Sequence, residues 1–247
     1  MSRSGGQQGG AQFRFGPTAT PQVIKHLLIA TAAVFVLQRV IGIGGGTTFI
    51  EEYGALQSTQ FFRGMLWQPL TRLFLHSEFG HLAGNLFILW MFGSTIAQRW
   101  GYKRFLWLYM GSGVAGGLVQ VALEGILHLT GWDLPFLVWG SRSLGASGAV
   151  YTVMAVFALT FPKRPINLLF IPFEFDAIWL IPMAVGLELG FPSPGVSHEA
   201  HLIGLLLGWV ILRLFGDDGS RPLVRRDPKP KRPSHLRVVG DDGPIYH

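Results

Sequence analysis

The chain has 247 residues, of which 49% are hydrophobic and 14% are charged, and its formal net charge is +6. Soluble globular domains are about 25% charged, so this composition argues against a soluble enzyme. Together with long uncharged runs, it indicates an integral membrane protein. The chain contains no cysteine, which excludes a disulfide framework and a cysteine nucleophile.

Six apolar stretches are candidate membrane spans. In chain order they lie at about 23–43, 79–97, 104–124, 145–161, 175–190 and 198–215. A helix needs about 20 apolar residues to cross the hydrocarbon core. The first stretch has Lys25 and Arg39 near its ends, and we expect both to snorkel to the membrane surface. The fifth is short and accompanied by Pro172 and Pro182, so we expect it to be loosely held.

The segments outside the spans differ in character. Residues 1–20 and 217–247 are polar and rich in Gly and Pro, which predicts disordered tails on either side of a membrane domain at 21–216. The first tail lacks the apolar region of a signal peptide. Residues 44–78 carry scattered Phe, Leu and Trp, which predicts amphipathic segments at the membrane interface.

The positive charges predict the orientation. Lys and Arg concentrate in both tails, between spans two and three, and after span four. With six spans these positions alternate onto one side, so both termini are predicted to be cytoplasmic. We attribute the basic C-terminal tail to contact with anionic lipid head groups and expect no nucleic acid partner.

A few polar residues in or beside the spans are the main functional signal. They are His76, His81, Asn85, Ser147, His198 and His201. Polar groups in hydrocarbon are costly, and ionisable ones there are functional candidates. All six lie near the N-terminal ends of spans two, four and six, which run in the same direction. We therefore predict that they meet at one depth, near the outer membrane face.

Ser147 and His201 are the pair with the clearest chemistry. An imidazole beside a serine hydroxyl can remove its proton and later return it to a leaving group. Considered alone, Ser147 is better explained as a small residue that permits close helix packing. Gly204 and Gly208 form a GxxxG ridge on span six, which would bring that span close to span four at Gly148.

Three further residues would support such a site. His81 and Asn85 are four residues apart and share one helix face, so they could hydrogen-bond an oxyanion or clamp two helices together. Tyr151 lies one turn after Ser147, where its ring could stack on His201 or simply pack in the core. His76 is rotated off the His81 face and is predicted to hold the preceding loop.

A metal site is the weaker interpretation of the same histidines. The segment "SHEAH" at 197–201 is one residue shorter than the H-E-x-x-H zinc motif. We recognise no carboxylate deep in a span that could complete a ligand set or orient His201, and Glu199 should point elsewhere on its helix. We therefore expect no metal and no cofactor.

At this point the motifs resemble those of the rhomboid intramembrane serine proteases. The matching segments are "GASG" at 145–148 with Tyr151, "AHLIGLLLG" at 200–208, "HSEFGHLAGN" at 76–85, Trp67 with Gln68, and the glycine run at 111–117. The resemblance covers about residues 23–215. Ala97 stands where the family often has a glutamate, which puts local stability in doubt rather than the chemistry.

The resemblance implies a fold and an activity. The fold is a six-transmembrane-helix bundle with a membrane-embedded first loop. The activity is cleavage of transmembrane protein substrates in the lipid bilayer by a Ser147–His201 dyad without an acid. His81, Asn85 and the Ser147 backbone N–H would hold the oxyanion, Tyr151 would orient His201, and Gly145, Gly148 and Gly204 would allow close approach. A bacterial cytoplasmic membrane is the expected location.

Two other functions fit parts of the pattern. A rhomboid-like pseudoprotease would bind transmembrane clients without cutting them, although such proteins usually lack the serine or the histidine. A transporter or channel would use the polar residues as an ion path. That path should continue inward, whereas spans two, four and six are almost purely apolar in their inner halves.

Overall fold

The computed structural model describes residues 16–43, 48–132, 134, 137–167, 173–191 and 196–216. The predicted tail at 217–247, most of the predicted tail at 1–20, and Pro172 lie outside these residues.

The described residues form a helical bundle. The long helices and the helical turns between them are α1 (Gln22–Ile41), α2 (Phe49–Gly54), α3 (Ser58–Phe61), α4 (Gln68–Thr71), a 3-10 turn (Arg72–Phe74), α5 (Phe79–Ile88), a π-helical segment (Leu89–Gly93), α6 (Ser94–Trp100) and α7 (Tyr102–Thr130). The second half contains α8 (Ser147–Thr160), β1 (Pro165–Ile166), β2 (Phe175–Asp176), a 3-10 turn (Ala177–Trp179), α9 (Leu180–Gly190) and α10 (His198–Phe215). The two short strands pair antiparallel, a detail that the all-α prediction did not include.

Four helical segments in the described part of the chain are long and apolar enough to cross a membrane. They are Gln22–Ile41, Phe79–Trp100, Tyr102–Thr130 and His198–Phe215. The fourth and fifth predicted spans correspond to shorter apolar helices, Ser147–Thr160 and Ala177–Gly190. Fourteen residues of helix extend only about 21 Å, less than the roughly 30 Å hydrocarbon core.

Two predicted boundaries were wrong for identifiable reasons. The helix of the third span continues past residue 124 to Thr130. Glu124 is buried inside the protein, where it accepts hydrogen bonds from Gln120 and Ser58, so it does not mark the membrane surface. The fourth begins at Ser147 and not at 145, because Gly145 has a φ of 122°, which a helix does not allow.

Helix α8 lies at the centre of the bundle. Most of its residues are buried, including Val150, Val153 and Val156 with no exposed surface. A helix that is apolar and buried on all sides belongs to a core. Helix α10 packs closely against it: a Cβ at position 204 would lie 2.2 Å from the Gly148 carbonyl oxygen, and one at position 208 would lie 2.7 Å from the Ala155 Cβ. The GxxxG packing prediction is therefore confirmed.

The segment between α1 and α5 folds against α7. It contains three short helices, and its apolar side chains pack on the glycines of α7: Leu73 lies against Gly113, and Pro69 against Gly117. A Cβ at position 113 would lie 2.6 Å from Leu73, and one at position 117 would lie 3.1 Å from Pro69, so a larger side chain at either position would have to displace its neighbour. The glycine run therefore forms the surface of α7 against which this loop packs.

Arg39 is exposed near the C-terminal end of α1, and its charged head also has partners within the protein. Its guanidinium donates hydrogen bonds to the backbone carbonyl oxygens of His76, at 3.1 Å, and Ser77. The preceding residue, Gln38, is buried and accepts a hydrogen bond from the His76 N–H at 3.1 Å. Two consecutive polar residues at the end of α1 thus satisfy the backbone of the loop that leads into α5, which explains why they occur in an apolar helix.

A buried polar network connects this loop to two long helices. Arg72 is 2% exposed and donates hydrogen bonds to Gln120 and Ser143, both at 2.8 Å. Gln120 in turn donates to Glu124 at 3.0 Å and to Glu199 at 3.2 Å. Burial lowers the pKa of Arg72 to about 10, while Glu199 and Glu124 act in the opposite direction. The guanidinium therefore remains charged at neutral pH.

We expect Gly204→Ala to destabilise the protein by about 1–3 kcal/mol, because the added methyl group overlaps the backbone of α8. Gly111→Ala is the matched control, since a Cβ at that helical position meets nothing within 4 Å. The measurement is the thermal unfolding midpoint in detergent. Equal midpoints for the two variants would contradict the close packing of α8 and α10.

We expect Arg72→Met to destabilise the protein by about 3–5 kcal/mol, because it leaves two buried carboxylates without their cation. Adding Glu199→Gln to Arg72→Met should recover part of the loss. The exposed Arg63, replaced in the same way, serves as control. A midpoint for Arg72→Met that matches that of Arg63→Met would show that the network contributes no stability.

Candidate active site

The N-terminal ends of α5, α8 and α10 converge. A Cβ at Gly145, two residues before α8, would lie 2.8 Å from the His81 Nε2 and 3.9 Å from the Asn85 Nδ2, both on α5. A Cβ at Gly148 would lie 3.1 Å from the Ala200 carbonyl oxygen on α10. The structure therefore brings together the three helix ends that carry the polar residues selected from the sequence.

Ser147 is the first residue of α8 and is 7% exposed. The chain reaches it through Gly145, whose N–H donates to the Arg72 carbonyl oxygen at 3.0 Å. Ala146 has no side chain that could cap the helix. Within the described ranges, the N–H groups of Ser147 and Gly148 have no hydrogen-bond acceptor. The helix start thus presents free backbone donors beside the serine hydroxyl.

His201 is 8% exposed, and two neighbouring side chains fix its ring. Tyr151 stacks on it, with 4.2 Å between ring centroids and 11° between planes, which is one of the two alternatives that the sequence left open. Its Nδ1 lies 2.8 Å from the Glu188 Oε1, so its Nε2 lies on the opposite side of the ring. No direct hydrogen bond joins Ser147 to His201 in the described part of the chain. In unliganded enzymes, catalytic hydrogen bonds are often long.

Glu188 corrects the expectation that no carboxylate could orient His201. It lies on α9 and is 8% exposed. Its Oε1 also accepts a hydrogen bond from the Tyr151 hydroxyl at 2.6 Å, and its Oε2 one from the His198 Nδ1 at 2.5 Å. The rule that an ionisable residue in an apolar helix is a functional candidate would have selected it. It was passed over because it lies near the end of a short span.

The side chains of α5 and the loop before it form a second cluster. The Asn85 Nδ2 donates to the His76 Nε2 at 3.0 Å, and the His81 Nδ1 lies 3.2 Å from the Ser77 hydroxyl. Burial, together with a smaller contribution from the nearby His81, lowers the pKa of His76 to about 4. His76 is therefore neutral at neutral pH, with its proton on Nδ1. An amide has two N–H donors, so Asn85 retains one for another acceptor.

The remaining predictions can be compared with the same geometry. The expectation for His76 was wrong: its side chain accepts a hydrogen bond from Asn85 on α5, and its backbone is held by Gln38 and Arg39 of α1. Glu199 points away from His201, toward Gln120, as expected. Ser77 and Arg72 were not selected from the sequence, because a serine and an arginine in a loop carry no distinctive pattern.

The histidines of α10 present hydrogen-bonding groups and not an assembled metal ligand set. The Nδ1 atoms of His198 and His201 both face the carboxylate of Glu188. Among the residues that the structure describes, no three His, Asp or Glu side chains are arranged to hold a metal ion.

Comparison with known proteins identifies the family. A family model described as the rhomboid domain matches residues 63–217. The mitochondrial rhomboid protein 1 of Saccharomyces cerevisiae is 34% identical over 221 residues, which cover 85% of this chain and 59% of the relative. The mitochondrial presenilin-associated rhomboid-like protein of Mus musculus is 29% identical over 196 residues, covering 77% of this chain and 48% of the relative.

A bacterial relative carries an enzyme name. Rhomboid protease GluP of Bacillus subtilis is 26% identical over 181 residues, which cover 72% of this chain and 32% of the relative. The chain thus spans less than two thirds of the length of each of these three relatives. The family match begins before α4 and ends after α10, so it includes every side chain of the converging site. The chain is therefore a multi-pass membrane protein of the rhomboid family.

Proposed function

We propose that this protein is an intramembrane serine endopeptidase that cleaves transmembrane helices of membrane-protein substrates near the outer membrane face. The observation that supports the proposal is the backbone contact between Gly148 and Gly204, which packs the start of α8, with Ser147, against the first turns of α10, with His201. The printed name of the Bacillus subtilis relative, a rhomboid protease, supports the same activity.

The proposed reaction is acyl transfer by a serine nucleophile. His201 Nε2 removes the Ser147 hydroxyl proton as the oxygen attacks the scissile carbonyl, and then donates that proton to the leaving amine. Water attacks the acyl-enzyme with the same base. The reaction requires the Ser147 hydroxyl and the His201 Nε2 to come within hydrogen-bonding distance when substrate binds.

The oxyanion of the tetrahedral intermediate needs donors directed at it. We assign this role to the free N–H of Ser147, the remaining N–H of Asn85 and the Nε2–H of His81. A hydroxyl hydrogen bond from Ser77 to the His81 Nδ1 leaves the ring proton on Nε2, which faces Gly145. In a site with little water these donors contribute more than they would in bulk solvent.

Substrate entry is proposed to be lateral, beside α9. A cleft of about 650 Å³ lies between α9 and α10, and apolar side chains such as Ile181, Val185 and Leu206 line it. Helix α9 is short, and Pro182 lies in its first turn, where the missing N–H is tolerated and produces no mid-helix kink. Because helical peptide bonds are shielded, substrates whose helices contain glycine or proline should be cleaved faster.

The proposal also covers the number of spans, the orientation of the termini and the identity of the membrane. We propose that six helices cross the bilayer, that both termini are cytoplasmic, and that the membrane is the bacterial cytoplasmic membrane. The yeast and mouse relatives are named as mitochondrial proteins. Fractionation of tagged protein in its native cell decides between these two membranes.

We expect Ser147→Ala and His201→Ala each to lower substrate processing by at least about 1,000-fold, because they remove the nucleophile and its base. The assay is co-expression with a panel of tagged single-span proteins, combined with labelling of the purified protein by a fluorophosphonate probe. Ser94→Ala, at a buried serine on α6, and His26→Ala, at an exposed histidine on α1, are controls. Processing that survives both active-site substitutions would refute the assignment.

We expect Asn85→Ala to lower kcat by about 100-fold with little change in KM, since an oxyanion donor acts mainly in the transition state. Gly84→Ala is the neighbouring control, because a Cβ there meets nothing within 4 Å. Steady-state cleavage of a transmembrane peptide in lipid vesicles gives both constants. A change in KM alone would instead assign Asn85 to substrate binding.

A further inference from the structure

We propose that Glu188 is the positioning residue of His201, so that the site works as a Ser147–His201–Glu188 triad. This inference rests on the proposed protease function. It adds a group that the dyad interpretation of the sequence excluded, and it assigns a role to a buried carboxylate on a helix that otherwise faces its surroundings with apolar side chains.

The contacts of Glu188 are directed at the ring of His201. The Oε1 atom lies 2.8 Å from Nδ1 of that ring and 2.6 Å from the hydroxyl of Tyr151, whose own ring stacks on the imidazole. One carboxylate oxygen therefore binds both the imidazole and the aromatic residue that covers its face. The ring is fixed in its plane by one contact and against its face by the other.

The chemistry of this contact selects a tautomer. A carboxylate is only an acceptor when ionised, so the His201 Nδ1 must carry a proton to bond it. In the neutral ring, the lone pair is then on Nε2, the nitrogen that has to accept the Ser147 proton. Once that proton is transferred, the imidazolium formed lies beside a negative charge, which stabilises it. Both effects are those of the acid in a serine protease triad.

The packing of α9 shows that this position is not a general feature of the helix. Its buried residues are Leu180, Ala184 and Glu188, spaced four apart on one face. The first two positions of this buried face are apolar, and the third, in the last turn of the helix, is the carboxylate of Glu188. A buried ionised carboxylate is costly unless it is fully hydrogen-bonded, and here the donors are Tyr151, His198 and His201.

A purely structural role would use the same contacts to fasten α9 to the bundle. The two roles differ in what they change. A fastener affects stability and substrate entry, whereas a positioning residue affects the chemical step through His201. The experiment therefore separates kcat from KM and measures both on folded protein.

We expect Glu188→Gln to lower kcat for a transmembrane peptide in lipid vesicles by about 10- to 100-fold, because the amide keeps the shape of the side chain but removes its charge. KM should stay within about twofold of the wild-type value. Glu188→Asp should recover a large part of kcat, since it restores the charge. Glu174→Gln, at an exposed acid before β2, and Leu187→Ala, at an exposed position of the same helix, should both behave as wild type.

The rate of fluorophosphonate labelling of Ser147, taken per folded molecule, should fall in parallel with kcat. If Glu188→Gln does not fold, Glu188→Met fills the same space without a charge and is tested in the same way. A folded variant without the carboxylate that keeps wild-type kcat overturns the inference, and so does a rise in KM with kcat unchanged. In those cases Ser147→Ala still abolishes cleavage. If wild type neither cleaves nor is labelled, it is the proposed function that fails.

Discussion

The contact between the backbones of α8 and α10 is the constraint on which the site depends. Gly148 and Gly204 meet so closely that no side chain fits between them, and the Thr152 hydroxyl donates to the Gly204 carbonyl oxygen at 2.9 Å across the same seam. In lipid the hydrophobic effect does not drive helices together, so small residues and interhelical hydrogen bonds must do so. The seam packs the start of α8, which carries Ser147, against the first turns of α10, which carry His201.

The polar network around Arg72 supports the opposite side of the site. Its guanidinium binds Gln120 on α7 and Ser143 before α8, while its carbonyl oxygen accepts the Gly145 N–H. The turn that presents Ser147 is thus attached to the loop between α1 and α5 and to the longest helix. Displacing the turn would break these buried hydrogen bonds, and buried polar groups are costly to leave unpaired.

The sequence alone was enough to select the polar residues whose burial in a membrane is energetically unfavourable. His81, Asn85, Ser147 and His201 stood out because polar groups are rare in apolar spans, and the glycine ridge predicted the close contact between α8 and α10. The role of Glu188 was not predicted, because a carboxylate near the end of a span can also lie exposed at the membrane surface. Only tertiary packing shows that it points inward. The start of α8 also required the structure, since the φ of Gly145 is not visible in an apolar sequence.

The position of Glu188 places two requirements on one short helix. Helix α9 buries a single stripe of residues, and the cleft beside it is the opening proposed for substrate. The carboxylate that fixes His201 ends that stripe. A displacement of α9 that widens the cleft near Ile181 and Val185 can leave the Glu188 end in place if the helix pivots there. A displacement of the whole helix would instead remove the partner of Nδ1, and with it the tautomer needed for attack. The proposed substrate entry beside α9 therefore leaves the base oriented only if the contact between Glu188 and His201 is kept.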